Sequence, residues 1–289
     1  MEYFYRCFTK IIRLQLDTSK EKDLDFWIER FCPNVEILSE KVNFDIGIEC
    51  IDGIKYDYIV EKDYIRIYGK MNNYSSFLAK FITQVFQKLL IDEEILFVPA
   101  SCVANNYNCL LILGDFWQGK TSTALNIVKK YNLNLISDNY VAIKNGKVIG
   151  ATKYISKREE DTVNISSSLL NVNNRFFFKN LNFSNIDNLK INSFLLPFIN
   201  CSDNNIHLIS KEESKWYLYQ KFIRLLSGES ILFNGKLPSP FFLDKEKSIL
   251  ILNIVNELLN NVNILYVSSS MNKIIEEGFK CLDGAKTYE

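Results

Sequence analysis

The residues whose types and spacing are best suited to chemistry are 114 to 121, which read GDFWQGKT. They match the phosphate-binding pattern G-x-x-x-x-G-K-S/T at every fixed position. The apolar stretch CLLIL precedes them, and the stretch KTSTALNIVKK, which is typical of a helix, begins inside the pattern. A strand, a glycine-containing loop and a helix in this order form the context that the pattern requires. The sequence therefore predicts a nucleotide-binding loop, with a strand-to-helix turn that binds no ligand as the alternative.

The fixed positions of the pattern have distinct chemical uses. Gly114 and Gly119 allow a tight turn that directs backbone N–H groups at phosphate oxygens. Lys120 would neutralise charge between the β- and γ-phosphates, and the Thr121 hydroxyl would bind magnesium. The predicted cofactors are therefore ATP and Mg2+. The predicted nucleotide-binding residues are Gly114, Asp115, Phe116, Trp117, Gln118, Gly119, Lys120, Thr121 and Ser122.

Two bulky residues, Phe116 and Trp117, occupy positions that are often small in such loops. Aromatic rings offer a large flat surface for contact. The two rings would either stack on a ligand or pack on a neighbouring segment, and the sequence leaves both open.

An acidic side chain follows the next predicted strand. The apolar stretch LNLI ends in Ser137, Asp138 and Asn139, and in an open parallel sheet this strand end would lie beside the loop. Asp138 would then accept a proton from an acceptor hydroxyl, or hold magnesium directly or through water. In the first role it joins Lys120 as a predicted catalytic residue. The alternative is that Asp138 and Asn139 form a turn into the stretch YVAIK.

The first part of the chain has both helical and strand patterns. Residues 21 to 31 predict a helix that leaves Phe26 off its apolar face. That face comprises Leu24, Trp27, Ile28 and Phe31. Residues 35 to 69 contain short runs rich in β-branched and aromatic residues, which predict a small antiparallel meander. Residues 74 to 91 predict an amphipathic helix that packs on this sheet.

From residue 95 the order of strand, loop, helix and strand predicts the start of a doubly wound α/β core. Residues 160 to 190 are rich in Ser and Asn and predict an irregular region or flap. Further strands are predicted at 193 to 199, at 206 to 209 and in the stretch NILYV. Further helices are predicted at 212 to 227, 245 to 260 and 271 to 280.

Composition excludes several classes of protein. Lys plus Arg and Asp plus Glu number 34 each, so no bulk positive charge favours nucleic acid. The seven cysteines are scattered and the chain has one histidine, a pattern that argues against a disulfide scaffold and a Cys/His zinc site. The apolar residues at the N-terminus are interrupted by Arg6, Lys10 and Arg13, whereas a signal peptide has an uninterrupted apolar region. We therefore expect a soluble, reduced, cytoplasmic protein without nucleic-acid or membrane partners.

The stretches LLILGDFWQGKTSTALNIVKK and LNLISDN together resemble the core of the HPr kinase/phosphorylase superfamily. Its relatives include peptide serine kinases and other small kinases. The resemblance implies an α/β fold, with a P-loop-containing phosphoenolpyruvate carboxykinase-like core at 93–289 and a smaller α+β N-terminal domain at 1–92. It implies an ATP-dependent kinase that transfers the γ-phosphoryl group to a hydroxyl, that of a peptide or protein serine or of a small molecule.

Two positions depart from the pattern of these relatives. Pro99 stands where spacing places their histidine, and Asn139 stands where they commonly carry a second aspartate. The predicted metal ligands are Thr121, Asp138 and, from the resemblance, Asn139, whose neutral amide oxygen would hold magnesium less strongly than a carboxylate. A nucleotide-binding regulatory or accessory module with little or no kinase activity is therefore the alternative. An enzyme that uses ATP for another reaction also fits the loop.

The N-terminal domain would serve as a lid, a dimer interface or a peptide docking surface. For docking, an exposed edge of the meander near residues 63 to 69 would pair with an extended substrate strand. The sequence leaves the acceptor and the oligomeric state open.

Overall fold

The computed structural model describes residues 1–17, 23–69, 75–115, 118–158, 170–172, 175–179, 189–200, 202, 204–227 and 243–284. These residues form an α/β protein with three β-sheets and six α-helices. No helix in these ranges is long and apolar enough to cross a membrane.

The strands, in chain order, are β1 (Glu2–Cys7), β2 (Lys10–Leu16), β3 (Val35–Leu38), β4 (Ile46–Asp52), β5 (Asp57–Val60), β6 (Tyr64–Gly69), β7 (Leu96–Val98), β8 (Ser101–Ala104), β9 (Asn108–Ile112), β10 (Asn134–Ser137), β11 (Val141–Lys144), β12 (Lys147–Ala151), β13 (Tyr154–Arg158), β14 (Leu170–Val172), β15 (Arg175–Lys179), β16 (Leu189–Ile199), β17 (Asn205–Leu208) and β18 (Asn263–Ser269). The helices are α1 (Leu24–Phe31), α2 (Ser75–Leu90), α3 (Lys120–Tyr131), α4 (Lys211–Ser227), α5 (Lys245–Leu259) and α6 (Met271–Asp283). A short 3-10 helix spans Ile91–Glu93.

The first sheet has the strand order β3-β1-β2-β4-β6-β5 and is mixed. The predicted antiparallel meander is wrong, because β4 runs parallel to both β2 and β6. Parallel neighbours need a crossover connection, and the segment containing α1 and β3 connects β2 to β4. The strands β1 and β2, in the first 16 residues, were not predicted from the sequence. The alternate burial of Ile12, Leu14 and Leu16 in β2 is the period-two signal for a strand there.

The predicted exposed edge at residues 63 to 69 is wrong for a related reason. β6 lies between β4 and β5 and is paired on both sides. β5 folds back antiparallel on β6 and forms that edge of the sheet, with Ile59 and Val60 exposed. The hypothesis of strand pairing at 63 to 69 therefore loses its structural basis.

The two helices predicted for the N-terminal part are confirmed as α1 and α2. One detail is corrected, because Phe26 is buried although it lies off the predicted apolar face. Its ring meets the rings of Tyr154 and Phe177, with centroid distances of 4.8 and 5.1 Å. Tyr154 and Phe177 lie in β13 and β15 of a separate, third sheet, so α1 also packs against that sheet.

The first hydrophobic core lies between this sheet and helices α1 and α2. It extends into the rest of the chain through Phe97, Tyr140, Ala142 and Leu225. All six strands before residue 92 belong to the first sheet, but the core beneath that sheet continues across this position. The N-terminal part is therefore packed on the remainder of the protein.

The second sheet carries the predicted loop. Its strand order is β10-β8-β9-β16-β12-β11-β7. The long strand β16 pairs with β9 along one side. Along its other side, β16 pairs first with β12 and then with β18, which also pairs with β17. The strands β9, β16 and β18 run parallel. The strand β8, which sequence analysis did not identify, lies antiparallel between β9 and β10. The sheet is therefore mixed, unlike the open parallel sheet that the sequence suggested.

Helices cover both faces of the second sheet, as expected for an α/β core. Leu111 and Phe194 belong to the core formed with α4 and α5. Their chain neighbours Leu110 and Leu195 belong to the opposite core, formed with α3 and α6. Successive side chains of a strand point to opposite faces, so the apolar runs are buried on both sides. The predicted strands and helices from residue 193 onward are confirmed, with small changes in their bounds.

The third sheet has the strand order β13-β15-β14. An irregular region was predicted for residues 160 to 190, and this is wrong for 170–172, 175–179 and 189–190, which form β14, β15 and the start of β16. Phe177, in the aromatic run that gave no clean period, packs against Phe26 and Trp27 of α1. The remainder of that prediction falls outside the described residues.

Phe194 and Phe198 lie on the same strand, β16, but Phe194 is fully buried and Phe198 is 46% exposed. We expect Phe194→Ala to lower the free energy of unfolding by about 3 to 5 kcal/mol, because it leaves a cavity in the core under α4 and α5. Phe198→Ala should change it by less than about 0.5 kcal/mol. Urea denaturation followed by circular dichroism measures both, and equal losses would contradict this assignment of the core.

Candidate functional site

The predicted phosphate loop begins at the carboxyl end of β9, where Leu113 donates its backbone N–H to the carbonyl of Leu195 on the neighbouring parallel strand at 2.8 Å. Gly114 and Gly119 have φ angles of 142° and 79°, which favour glycine. A Cβ on Gly119 would lie 2.6 Å from Cδ1 of Ile199. The backbone angle therefore favours glycine immediately before α3, and a larger residue there would also displace the end of the Ile199 side chain.

Lys120 lies across the loop. Its Nζ donates hydrogen bonds to the carbonyl oxygens of Gly114 at 3.0 Å and Asp115 at 2.7 Å. The Gln118 side-chain oxygen accepts the backbone N–H of Asp115 at 2.6 Å. Since Gly119 provides no capping side chain, the first N–H groups of α3 face the loop. The loop thus holds a lysine ammonium and helix N–H donors at one place.

Asp138 lies directly beside the loop. The hydroxyl of Thr121 donates to Asp138 Oδ1 at 2.5 Å. β8 is antiparallel to both β9 and β10, so β9 and β10 run in the same direction and end at the same edge of the sheet. The expectation that this strand end lies beside the loop is confirmed, although another strand separates the two.

The Asp138 carboxylate is held by donors from three segments. Its Oδ2 accepts the backbone N–H of Ser156 at 2.9 Å and the Ser156 hydroxyl at 3.1 Å. Its Oδ1 accepts from Thr121, and the Ser101 hydroxyl lies 3.3 Å from the Asp138 carbonyl oxygen and 3.5 Å from Oδ1. The residue is 5% exposed, and these hydrogen bonds offset the cost of burying its charge. Asp138 is therefore fixed in position, with one oxygen directed at the loop.

A second layer of hydrogen bonds supports this strand end. The Ser137 hydroxyl donates to the carbonyl of Tyr140 at 2.7 Å and lies 2.9 Å from the hydroxyl oxygen of Thr152. Ser137 and Thr152 are fully buried. Because buried polar groups that are satisfied restrict local motion, this layer fixes the turn from β10 into β11 that follows Asp138.

The structure places Asn139 differently from Asp138. Its side-chain amide donates to the carbonyl of Arg30 in α1 at 3.2 Å. Within the described residues it makes no hydrogen bond to Thr121 or Asp138, so its role as a metal ligand stays a prediction. Pro99 lies between β7 and β8, two residues before Ser101.

The remaining predicted loop residues divide into two groups. Ser122 lies in the first turn of α3, where its carbonyl accepts the Asn126 side-chain amide at 2.8 Å. Phe116 and Trp117 fall outside the described residues, so the choice between stacking and packing stays open.

Two residues that sequence analysis missed contact the loop from α4. Asp115 Oδ1 accepts hydrogen bonds from Lys221 Nζ at 2.6 Å and from Arg224 at 2.9 Å. The hydrogen bond from Lys221 and the charges of Lys221, Arg224 and Lys120 lower the pKa of Asp115 despite its partial burial. Asp115 is therefore ionised at neutral pH, and this ion pair is lost as the pH falls through the lowered pKa.

The sequence carried a signal for this contact. Tyr217, Lys221 and Arg224 are spaced by four and three residues, which places them on one face of α4. Lys221 also lies among apolar residues and is only 8% exposed. What the sequence does not reveal is that this face of α4 packs beside the loop.

The residues present suit a magnesium-bound nucleotide. Thr121 and Asp138 provide a hydroxyl and a carboxylate 2.5 Å apart, which are oxygen ligands of the kind magnesium prefers. The described residues contain no group of three or more His, Cys, Asp or Glu side chains that could hold a metal. Magnesium at phosphate sites is commonly bound by one or two side chains together with the phosphates, so the pair fits this requirement.

Comparison of the sequence with models of known protein families and with curated protein sequences found no match. The interpretation of this site therefore depends on its own geometry. That geometry consists of the loop from Gly114 to Thr121, the buried Asp138 and the cations of α4.

We expect Asp138→Asn to lower the free energy of unfolding by about 1 to 3 kcal/mol, because an NH2 group would replace an oxygen that accepts hydrogen bonds. Asp92→Asn is the control, since its exposed ion pair with Lys247 should contribute less than about 1 kcal/mol. Urea denaturation of both variants measures the difference. A loss for Asp138→Asn no larger than that of the control would contradict the structural role assigned to this carboxylate.

Proposed function

We propose that this protein binds ATP with magnesium at Gly114 to Ser122 and transfers the γ-phosphoryl group to a hydroxyl acceptor. The observation that carries the proposal is the hydrogen bond from the Thr121 hydroxyl to the buried Asp138 carboxylate, at the N-terminus of a helix that opens with the phosphate-loop pattern. A helix N-terminus with a lysine beside it is a favourable site for phosphate.

The reaction class comes from the resemblance to the HPr kinase/phosphorylase superfamily and its phosphoenolpyruvate carboxykinase-like core. The resemblance favours the hydroxyl of a peptide or protein serine as acceptor, with a small molecule as the alternative. The α/β sheet with helices on both faces, and the loop at the carboxyl end of β9, support this proposal. A cytoplasmic location is part of the same proposal.

Each residue of the site has a proposed role. Lys120 would release the carbonyl oxygens of Gly114 and Asp115 and donate to phosphate oxygens instead. Thr121 would turn its oxygen toward magnesium while Asp138 holds that hydroxyl in place. Magnesium, when bound, would neutralise charge on the phosphates during transfer. Asp138 has few vacant acceptor positions, so its geometry favours orienting Thr121 and the metal over taking a proton.

The second candidate is a nucleotide-binding regulatory module with little or no kinase activity. It is favoured by the two side chains at the end of β10. Asp138 is buried with both oxygens accepting hydrogen bonds, and Asn139 is directed at Arg30 in α1. In this case ATP binding itself would be the signal.

Nucleotide binding is tested first, because it does not depend on knowing the acceptor. We expect ATP with magnesium to raise the melting temperature, since a ligand present at about 100 times its Kd stabilises the native state by about 2.7 kcal/mol. Lys120→Ala should remove this shift. Lys129→Ala, an exposed lysine at the other end of α3, is the matched control and should retain it. No shift in the wild-type protein would end the nucleotide-binding proposal.

Product analysis separates the candidate functions. Prolonged incubation with ATP and magnesium, followed by phosphorus NMR, should show ADP and inorganic phosphate through slow transfer to water. Lys120→Ala should abolish this product, and Asp138→Asn should reduce it by about tenfold or more while retaining ATP binding. AMP with pyrophosphate would overturn the kinase assignment. Tight binding without any product would favour the regulatory module instead.

A further inference from the structure

The loop has a second contact surface, formed by one face of α4. Lys221 and Arg224 both donate to Asp115 Oδ1, at 2.6 and 2.9 Å. Lys120 donates to the carbonyl oxygen of the same aspartate at 2.7 Å. Three cations therefore converge on one loop residue that carries a single negative charge.

Lys221 is unusual for a lysine in an ion pair. Its side chain is 9% exposed, whereas the side chains of Arg224 and Asp115 are about half exposed. Its ammonium also lies 5.0 Å from the centre of the Tyr217 ring, a contact that stabilises a cation. Burying a charge is costly unless it is paired. The protein therefore maintains a buried cation at the loop, and the carboxylate that compensates it belongs to the loop itself.

The position of this cluster indicates which part of a bound nucleotide it would contact. In phosphate loops the lysine reaches the β- and γ-phosphates. The Lys120 ammonium and the two α4 cations contact the same residue, Asp115. The α4 cations therefore lie on the same loop residue as the lysine that would contact the β- and γ-phosphates. A terminal phosphate carries about 1.5 to 2 negative charges, more than a carboxylate, and offers more acceptor oxygens.

We propose that Lys221 and Arg224 form a terminal-phosphate site in which Asp115 is an internal substitute for the γ-phosphate. This inference rests on the proposed nucleotide binding and adds a specificity to it. When a nucleoside triphosphate binds, its γ-phosphate replaces the Asp115 carboxylate on the two cations. A diphosphate does not reach them, so the contact between Asp115 and α4 persists. The occupancy of this site thereby distinguishes ATP from ADP.

The test measures affinities for Mg-ATP and Mg-ADP by isothermal titration calorimetry. We expect Lys221→Met and Arg224→Gln each to weaken ATP binding by about tenfold or more, the range for a charge-assisted hydrogen bond. ADP affinity should change by less than about twofold. Lys215→Met, on the same helix, is the control and should change neither affinity. Arg224 is half exposed, so its variant tests the proposal even if Lys221→Met does not fold.

We expect Asp115→Asn to have the opposite effect on ATP affinity. The variant removes the internal carboxylate that competes with the γ-phosphate for the two cations, so ATP binding should tighten by about twofold to fivefold. This gain should disappear in the Lys221→Met, Arg224→Gln background, because the cations on which it depends are then absent. A double-mutant cycle of this kind isolates the coupling between loop and helix.

The outcomes separate this inference from the proposed function. If wild-type protein binds neither nucleotide, the proposed function fails and the inference fails with it. If wild-type protein binds both nucleotides through Lys120, but Lys221→Met and Arg224→Gln weaken ATP and ADP equally or not at all, only the inference is overturned. Weaker ATP binding by Asp115→Asn would also overturn it, since Asp115 would then support the loop rather than compete with phosphate.

Discussion

The arrangement of the site depends on the burial of one carboxylate, that of Asp138. A buried charge is tolerated only where enough donors surround it, and here the donors come from separate segments. Ser101 lies in β8, Thr121 in α3 and Ser156 in β13. Because all three must reach the same carboxylate, the start of α3, the second sheet and the third sheet are fixed relative to one another.

The groups that would contact a nucleotide already have partners within the protein. Lys120 donates to loop carbonyls, the Thr121 hydroxyl donates to Asp138, and Asp115 accepts from α4. A ligand would therefore exchange hydrogen bonds rather than create them. Such an exchange favours a ligand that offers more charge and more acceptors than the internal partners, and a phosphate chain has both properties.

The N-terminal part of the chain contacts residues next to Asp138 through helix α1. Asn139 donates to the carbonyl of Arg30, and Lys153 forms an ion pair with Glu29 at 2.6 Å. Arg30 and Glu29 are in α1. This helix therefore contacts the chain both just before β11, at Asn139, and just after β12, at Lys153. A change in α1 would reach the site through these contacts, and the core shared across residue 92 makes the two parts one packed unit.

Local sequence patterns located the helices and predicted the chemistry of the loop. Helical periodicity located α1 and α2, and the glycine, lysine and threonine positions predicted a phosphate loop after β9, because these properties depend on residues close together in the chain. Tertiary structure decided how the strands pair, which side chains are buried and what lies beside that loop. The parallel pairing of β4, the insertion of β8 between β9 and β10, and the burial of Phe26 all depend on partners distant in sequence. The contact of Lys221 and Arg224 with Asp115 joins residues more than 100 positions apart. The spacing on α4 shows that these cations share a face, but only the packing of the helices determines what that face meets.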